Sequence, residues 1–95
     1  MAQDQTFMPE EAPEFLLYTT EGCHLCDVAV QVIASVIDLN EVFVELVDIA
    51  EGQDAETMIR TYGERIPVFQ HVLTGKEIGW PFEQTQLLAW LELLS

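Results

Sequence analysis

Cysteine and basic residues are scarce in this 95-residue chain, which has two cysteines and three lysine or arginine residues. Two cysteines form at most one disulfide, which excludes a small scaffold held together by several disulfides. The three basic residues face 17 acidic ones, giving a net charge of −14. Such a chain repels phosphate backbones and anionic lipid surfaces, so we expect no nucleic-acid and no membrane partner. The acidic residues are scattered, which favours a role in solubility over attraction to a basic protein partner.

Long hydrophobic runs are also missing. A transmembrane helix needs about 20 consecutive, mainly apolar residues, and no segment approaches that length. The first 13 residues contain Pro9 and Pro13 but no basic residue and no apolar run, so they do not resemble a secretory signal. We expect a flexible acidic segment at 1–13 and one domain at 14–95. We also expect a cytoplasmic location, where an exposed cysteine pair would cycle between its reduced and oxidised forms.

Both cysteines lie in one motif, Cys23-His24-Leu25-Cys26, between a strand-like run and a helix-like one. The first cysteine would occupy a helix N-terminus, where unsatisfied N–H groups and the helix dipole favour a thiolate. The preceding Gly22 would allow the backbone to approach closely. Two thiols at this spacing, near a β-α-β pattern, are typical of a redox motif.

The hydrophobic pattern predicts seven elements in the order β-α-β-α-β-β-α. The first crossover is long enough for a parallel β-α-β unit, and the last two strands form a hairpin. The predicted class is therefore α/β, with a four-stranded mixed sheet flanked by helices. Pro81 fits the first turn of the last helix. We expect strands at 15–19, 42–47, 66–73 and 76–79, and helices from 23 to about 39, from the N-cap at 54 to about 62, and from about 82 to 94.

Several segments match a known pattern when they are taken together. They are residues 18–26 around the cysteine pair, Val47-Asp48-Ile49, residues 62–69 with Ile66-Pro67, Gly79-Trp80-Pro81, and Leu91. The combination resembles the small bacterial glutaredoxin-like proteins of the thioredoxin fold, over roughly residues 15–94. This resemblance implies thiol–disulfide oxidoreductase activity, with Cys23 as the nucleophile and Cys26 as the resolving thiol.

The resemblance also implies a substrate-binding surface around the cysteines. In this fold the bond preceding the matching proline, Pro67, is cis, and proline is the residue that permits a cis bond at low cost. The backbone of Ile66 would then lie beside the thiols and pair with a substrate chain. The residues expected at this surface are Gly22, His24, Leu25, Ile66, Pro67 and Trp80.

Three departures from the family pattern concern glutathione. His24 and Leu25 replace the usual proline and tyrosine, and Thr20 stands where many relatives have a basic residue. Trp80 replaces the second residue of a glycine pair that helps to hold glutathione. The resemblance therefore supports thiol exchange, but not glutathione as the preferred substrate. We expect no tightly bound cofactor and no metal, and glutathione is one candidate reductant.

The ionisable residues around the motif have opposing effects on thiolate formation at Cys23. Glu21 and Asp27 disfavour a thiolate at Cys23, whereas a protonated His24 would favour it at mildly acidic pH. The expected substrate is a disulfide-containing protein or a small thiol compound, and a monomer is favoured.

Two alternatives come from other classes. Cys23, Cys26, His24 and His71 match the ligand count of zinc, although the two histidines are far apart in sequence. Glutaredoxin relatives also share iron–sulfur clusters between two subunits through the active cysteine. The other alternative is a binding module that keeps the fold, turns over poorly and holds a partner peptide through Ile66-Pro67 and Trp80.

Overall fold

The computed structural model describes residues 12–94. Most of the acidic segment predicted at 1–13, and the last residue of the predicted domain, therefore lie outside the described residues. Within the described part, no helix is long and apolar enough to cross a membrane.

Seven elements follow one another in the predicted order, which is confirmed. The strands are β1 (Phe15–Thr19), β2 (Val44–Asp48), β3 (Val68–His71) and β4 (Glu77–Gly79). The helices are α1 (His24–Val36), α2 (Ala55–Tyr62) and α3 (Gln84–Glu92).

The ends of α1 and α3 differ from the prediction because local side chains bind the backbone. Helix α1 stops at Val36, and the Asp38 carboxylate accepts the Asn40 N–H over 2.9 Å in a turn that replaces the expected last helical turn. Helix α3 begins at Gln84, because Glu83 forms a capping box with Gln86.

The placement of Pro81 in the first turn of the last helix is wrong. Pro81 precedes α3, and the Trp80–Pro81 peptide bond is cis. Strand β3 is also shorter than predicted, since Ile66 and Pro67 precede it and it ends at His71.

The four strands form one mixed sheet in the order β2-β1-β3-β4. Strands β1 and β2 are parallel, while β3 is antiparallel to both β1 and β4. The parallel pair requires the crossover through α1, and the antiparallel β3–β4 pair needs only a short turn. Gly75 in that turn has a φ of 77°, a conformation that glycine adopts without strain.

The alternation of side chains along β1 gives the sheet two different faces. Phe15 and Leu17 face α1 and α3, where Phe15 stacks on Phe69 with ring centroids 4.8 Å apart and Trp90 packs nearby. Tyr18 lies on the opposite face, in a smaller cluster with α2. The larger core therefore lies beneath the helix that carries the cysteines.

The buried faces of α1 and α2 are narrow. The buried residues of α1 are Cys26, Ala29 and Ile33, and Leu25 lies about 100° around the helix from Cys26 and is 49% exposed. Ile59 in α2 is exposed to the same extent, and α2 has no fully buried residue. A helix that packs on one face of a sheet and is otherwise in solvent buries a narrow stripe of its surface.

The strand register brings four connections to one edge of the sheet. Thr19 pairs with Asp48, Tyr18 with Val68, and Val68 with Gly79. The segments that share this edge are the one after β1 with the cysteine motif, the one after β2, Ile66-Pro67 before β3, and Trp80-Pro81 after β4. This edge is where the predicted site residues converge.

Candidate active site

Cys23 and Cys26 form a disulfide at the start of α1, with their Cα atoms 5.3 Å apart. Cys23 is the N-cap, and its Sγ accepts a hydrogen bond from the Cys26 backbone N–H over 3.1 Å. Cys23 is half-buried, whereas Cys26 is only 4% exposed. The two cysteines therefore differ in access to solvent, and the more accessible one accepts a hydrogen bond from a backbone N–H.

The turn before the motif is built by residues 20–22. The Cys23 N–H donates to the Thr20 carbonyl over 3.3 Å. Gly22 has a φ of 80°, and a Cβ added there would meet no atom within 4 Å. Glycine is therefore required by the backbone conformation and not by lack of space. This turn places Cys23 at the N-terminus of α1.

The Ile66–Pro67 peptide bond is cis, and the Pro67 side chain is fully buried. The Ile66 N–H donates to the Tyr62 carbonyl over 3.0 Å, and the Pro67 carbonyl accepts the Trp80 N–H over 3.0 Å. The loop is thus tied to α2 on one side and to the segment after β4 on the other. It lies at the same edge of the sheet as Cys23.

The Trp80 side chain lines a different cavity from Cys23. The Trp80 and Phe82 rings pack edge to face, with their centroids 5.1 Å apart. Together with Val28, Val32 and Ser35 of α1, both aromatic residues line a groove of about 620 Å³ between α1 and the start of α3. Trp80 follows β4 at the same edge of the sheet as Cys23, but it lines this groove and not the cavity beside Cys23.

The cavity beside Cys23 has a volume of about 700 Å³ and opens toward β2. Gly22 and His24 line it with Cys23, and His24 is exposed. Strand β2 and the segment after it contribute the exposed Leu46, Asp48 and Glu51 to the same lining. The charged residues of its lining are Glu21, Asp27, Asp48 and Glu51.

The contribution of β2 to this cavity was not predicted from the sequence. Asp48 pairs with Thr19, the last residue before the cysteine turn. The carboxyl ends of neighbouring parallel strands form a crevice in which α/β proteins bind ligands. The predicted parallel pairing of the first two strands was the signal that could have placed Asp48 beside Cys23.

His71 is part of the core and lies away from the cysteines. It is 8% exposed, its ring lies 5.1 Å from that of Phe15, and its Nδ1 is 2.9 Å from Thr74 Oγ1. Its partner Phe15 is at the opposite end of β1 from the cysteine turn. Across residues 12–94, no group of three or more His, Cys, Asp or Glu side chains could hold a metal ion. The structure therefore does not bring His71 together with Cys23, Cys26 and His24.

A polar network lies between the sheet and α2, beside the cis-proline loop. Glu77 accepts hydrogen bonds from Tyr62 Oη over 2.7 Å, Gln70 Nε2 over 3.0 Å and Arg65 Nη2 over 3.2 Å. Tyr18 Oη donates to Gln70 Oε1 over 2.9 Å, and its ring stacks on Tyr62 with centroids 4.3 Å apart. Burial raises the pKa of both tyrosines, and the Glu77 carboxylate raises both further. The network holds the end of α2 against β3 and β4.

A disulfide at the start of the helix after β1, together with a mixed β2-β1-β3-β4 sheet, defines a thioredoxin-fold protein with a CxxC site. The family model described as "Glutaredoxin-like domain (DUF836)" matches residues 14–92. The chain belongs to this glutaredoxin-like family.

Two solved structures are similar to this chain. The X-ray structure of the structural genomics target protein XcR50 from X. campestris has a TM-score of 0.69 and 33% sequence identity, covering 83% of this chain and 96% of that one. The solution NMR structure of protein Ne2328 from Nitrosomonas europaea has a TM-score of 0.64 and 23% identity, covering 94% and 98%. The second likeness concerns the fold alone. No curated protein matches the chain.

Proposed function

We propose that the protein is a thiol–disulfide oxidoreductase in which Cys23 attacks and Cys26 resolves. The observation that carries this proposal is the unequal environment of the two sulfurs. Cys23 is half-buried at the helix N-terminus and accepts the Cys26 N–H, while Cys26 is buried. Helix N-termini favour a thiolate, and the thiolate is the nucleophile in disulfide exchange.

The reaction has two steps that start from the reduced dithiol. The Cys23 thiolate attacks one substrate sulfur, a Cys23–substrate disulfide forms, and the first substrate thiolate leaves and takes a proton from water. Cys26 then loses its proton to solvent and attacks Cys23 Sγ, which releases the second substrate thiolate. The substrate disulfide gains two electrons, and the protein dithiol becomes the Cys23–Cys26 disulfide.

The disulfide must be reduced again by an external thiol. The proposed reductant is glutathione or a thioredoxin reductase system, with no tightly bound cofactor. The proposed substrate is a disulfide-containing protein or small compound, handled by a monomer in the cytoplasm. Thr20 and Trp80, which replace residues that assist glutathione in relatives, favour a reductant other than glutathione.

The test is turnover of a neutral disulfide, bis(2-hydroxyethyl) disulfide, by the full chain. Glutathione with glutathione reductase drives one arm, and a thioredoxin reductase system drives the other. We expect turnover in at least one arm, faster in the second, and its loss in Cys23→Ser. Absence of turnover in both arms contradicts the proposal. If turnover is absent in both arms but a Cys23→Ser, Cys26→Ser variant still binds a partner peptide, the binding module is supported instead.

A further inference from the structure

The cavity beside Cys23 has an acidic wall that disulfide exchange itself does not require. Glu21 precedes the motif, Asp27 lies in the first turn of α1, and Asp48 and Glu51 come from the end of β2. The strand pairing of Thr19 with Asp48 brings the segment after β2 beside the cysteine turn, and all four acidic residues line the same cavity as Cys23. These four acidic residues are distant in sequence but line one cavity.

The basic side chains of the protein do not offset this charge. Arg60 pairs with Glu56 over 3.8 Å, and Arg65 pairs with Glu77 over 3.2 Å. Lys76 lies in the β3–β4 hairpin. The lining of the cavity, which lies wholly within the described residues, contains no lysine or arginine, and its one ionisable base is His24.

We propose that this cavity selects disulfides that carry ammonium or guanidinium groups close to their sulfurs. The proposal rests on the exchange function proposed above and names its substrate class. A cleft lined by charge of one sign focuses the field and raises the local concentration of ligands of the opposite sign. The cavity also holds the redox disulfide itself, so a ligand drawn into it arrives at the reacting sulfur. Leu46, 59% exposed, supplies an apolar contact in the same wall for the carbon chain of such a ligand.

The same wall disfavours anionic disulfides. Oxidised glutathione carries more carboxylates than ammonium groups, so its approach to Glu21, Asp27 and Glu51 is opposed by like charge. This gives a structural reason for weak use of glutathione that is separate from the residue changes at Thr20 and Trp80. The proposed substrate is thus a cationic disulfide, such as one flanked by lysine or arginine side chains.

The experiment compares three small disulfides of similar size but different charge. They are cystamine, which is cationic, bis(2-hydroxyethyl) disulfide, which is neutral, and 3,3′-dithiodipropionate, which is anionic. The full chain is reduced beforehand, the reductant is removed, and the loss of its free thiols is followed in a single turnover. Each disulfide accepts two electrons and is released as two thiols, so no further reactant is needed.

The test variant is Asp27→Asn, Glu51→Gln, and the matched control is Glu14→Gln, Glu41→Gln. The control removes the same charge from exposed residues at the opposite edge of the sheet, beside the first residues of β1 and β2. Removing Asp27 also alters the reactivity of Cys23, but that change affects all three disulfides alike. The ratio of the cystamine rate to the dithiodipropionate rate therefore isolates selection of the substrate charge.

We expect this ratio to fall about fivefold or more in the test variant and to change less than about twofold in the control. In the unmodified protein the ratio should also fall as salt rises from about 20 mM to about 0.5 M, because the Debye length shrinks severalfold. An unchanged ratio in both measurements, with the neutral disulfide still reduced, overturns the charge selection and leaves the exchange function standing. Failure of all three disulfides to react faster with this protein than with Cys23→Ser overturns both proposals.

Discussion

The backbone N–H of Cys26 donates a hydrogen bond to Cys23 Sγ over 3.1 Å, so the buried cysteine supplies a donor to the accessible one. This contact arises because Cys23 occupies the N-cap, where a side-chain acceptor satisfies an N–H that the helix leaves unpaired. A serine, threonine or aspartate oxygen usually does this. Here a sulfur does so, and the same N–H would stabilise a thiolate once the disulfide is reduced.

Reduced Cys23 should be alkylated by iodoacetamide well before Cys26, because Cys26 is buried. Replacement of Asp27 by asparagine removes a carboxylate from the first turn of α1, which opposes the thiolate. We expect Asp27→Asn to speed alkylation of Cys23 by about two- to fivefold, the scale of a solvent-exposed charge interaction. Mass spectrometry of quenched samples measures the rate at each cysteine.

Glu41→Gln is the control for Asp27→Asn, since Glu41 is exposed in the connection before β2, at the opposite edge. An equal acceleration in Glu41→Gln would show that net charge matters and that the position of Asp27 does not.

Gly22→Ala should destabilise the protein by about 1 kcal/mol, because alanine is strained at the φ of 80° that the turn requires. The matched control is Gly79→Ala. Neither position has an atom within 4 Å of an added Cβ, but Gly79 does not have a positive φ of this kind. Urea unfolding of the oxidised proteins measures the difference. Equal loss in both variants would mean that the strained turn is not the cause.

The two tyrosines, Tyr18 and Tyr62, are the only ones in the chain, so tyrosinate absorbance reports on them alone. Burial raises the pKa of both, and the nearby Glu77 carboxylate raises both further. We expect the absorbance of the folded protein to rise well above pH 10, whereas the urea-unfolded chain titrates near its usual value of about 10. A folded-state titration near pH 10 would contradict the hydrogen-bonded network.

The same shift makes stability depend on pH. Above the unfolded pKa of about 10, the unfolded chain releases phenol protons that the folded chain retains, so stability falls as pH rises toward the folded pKa. Below the unfolded pKa, both tyrosines are protonated in the folded and unfolded chains, and their contribution to stability is fully present. Tyr62→Phe should flatten this decline between about pH 10 and 11.5, as measured by urea unfolding of the oxidised protein, in which the cysteines do not titrate. A decline as steep as that of the unmodified protein would assign it to other groups.

Element order was predictable because hydrophobic periodicity changes clearly between strands and helices. The helix ends were not, since the Asp38 turn and the Glu83 capping box compete locally with the periodic pattern. The cis bond at Trp80–Pro81 was also missed. The isomer of an X-Pro bond in an ordered loop is set by tertiary context, which a local sequence pattern does not contain.

The cysteine motif was predictable from four consecutive residues, but its surroundings were not. Asp48 and Glu51 reach the Cys23 cavity only through the parallel pairing of β1 with β2. Tyr18 and Gln70 are 52 positions apart and meet because β1 pairs with β3 in one register. A shift of one residue in that register would turn the side chains of the strand to the other face, so such networks require the structure.

The most direct test of the account is disulfide trapping in two single variants, Cys26→Ser and Cys23→Ser. Each reduced variant is mixed with bis(2-hydroxyethyl) disulfide, and the adduct is quantified and located by mass spectrometry. We predict that Cys26→Ser accumulates a stable mixed disulfide on Cys23, because no thiol remains to resolve it, while Cys23→Ser forms little adduct on the buried Cys26. Equal adduct formation on the two cysteines, or preferential formation on Cys26, would contradict the assignment of Cys23 as the attacking thiol.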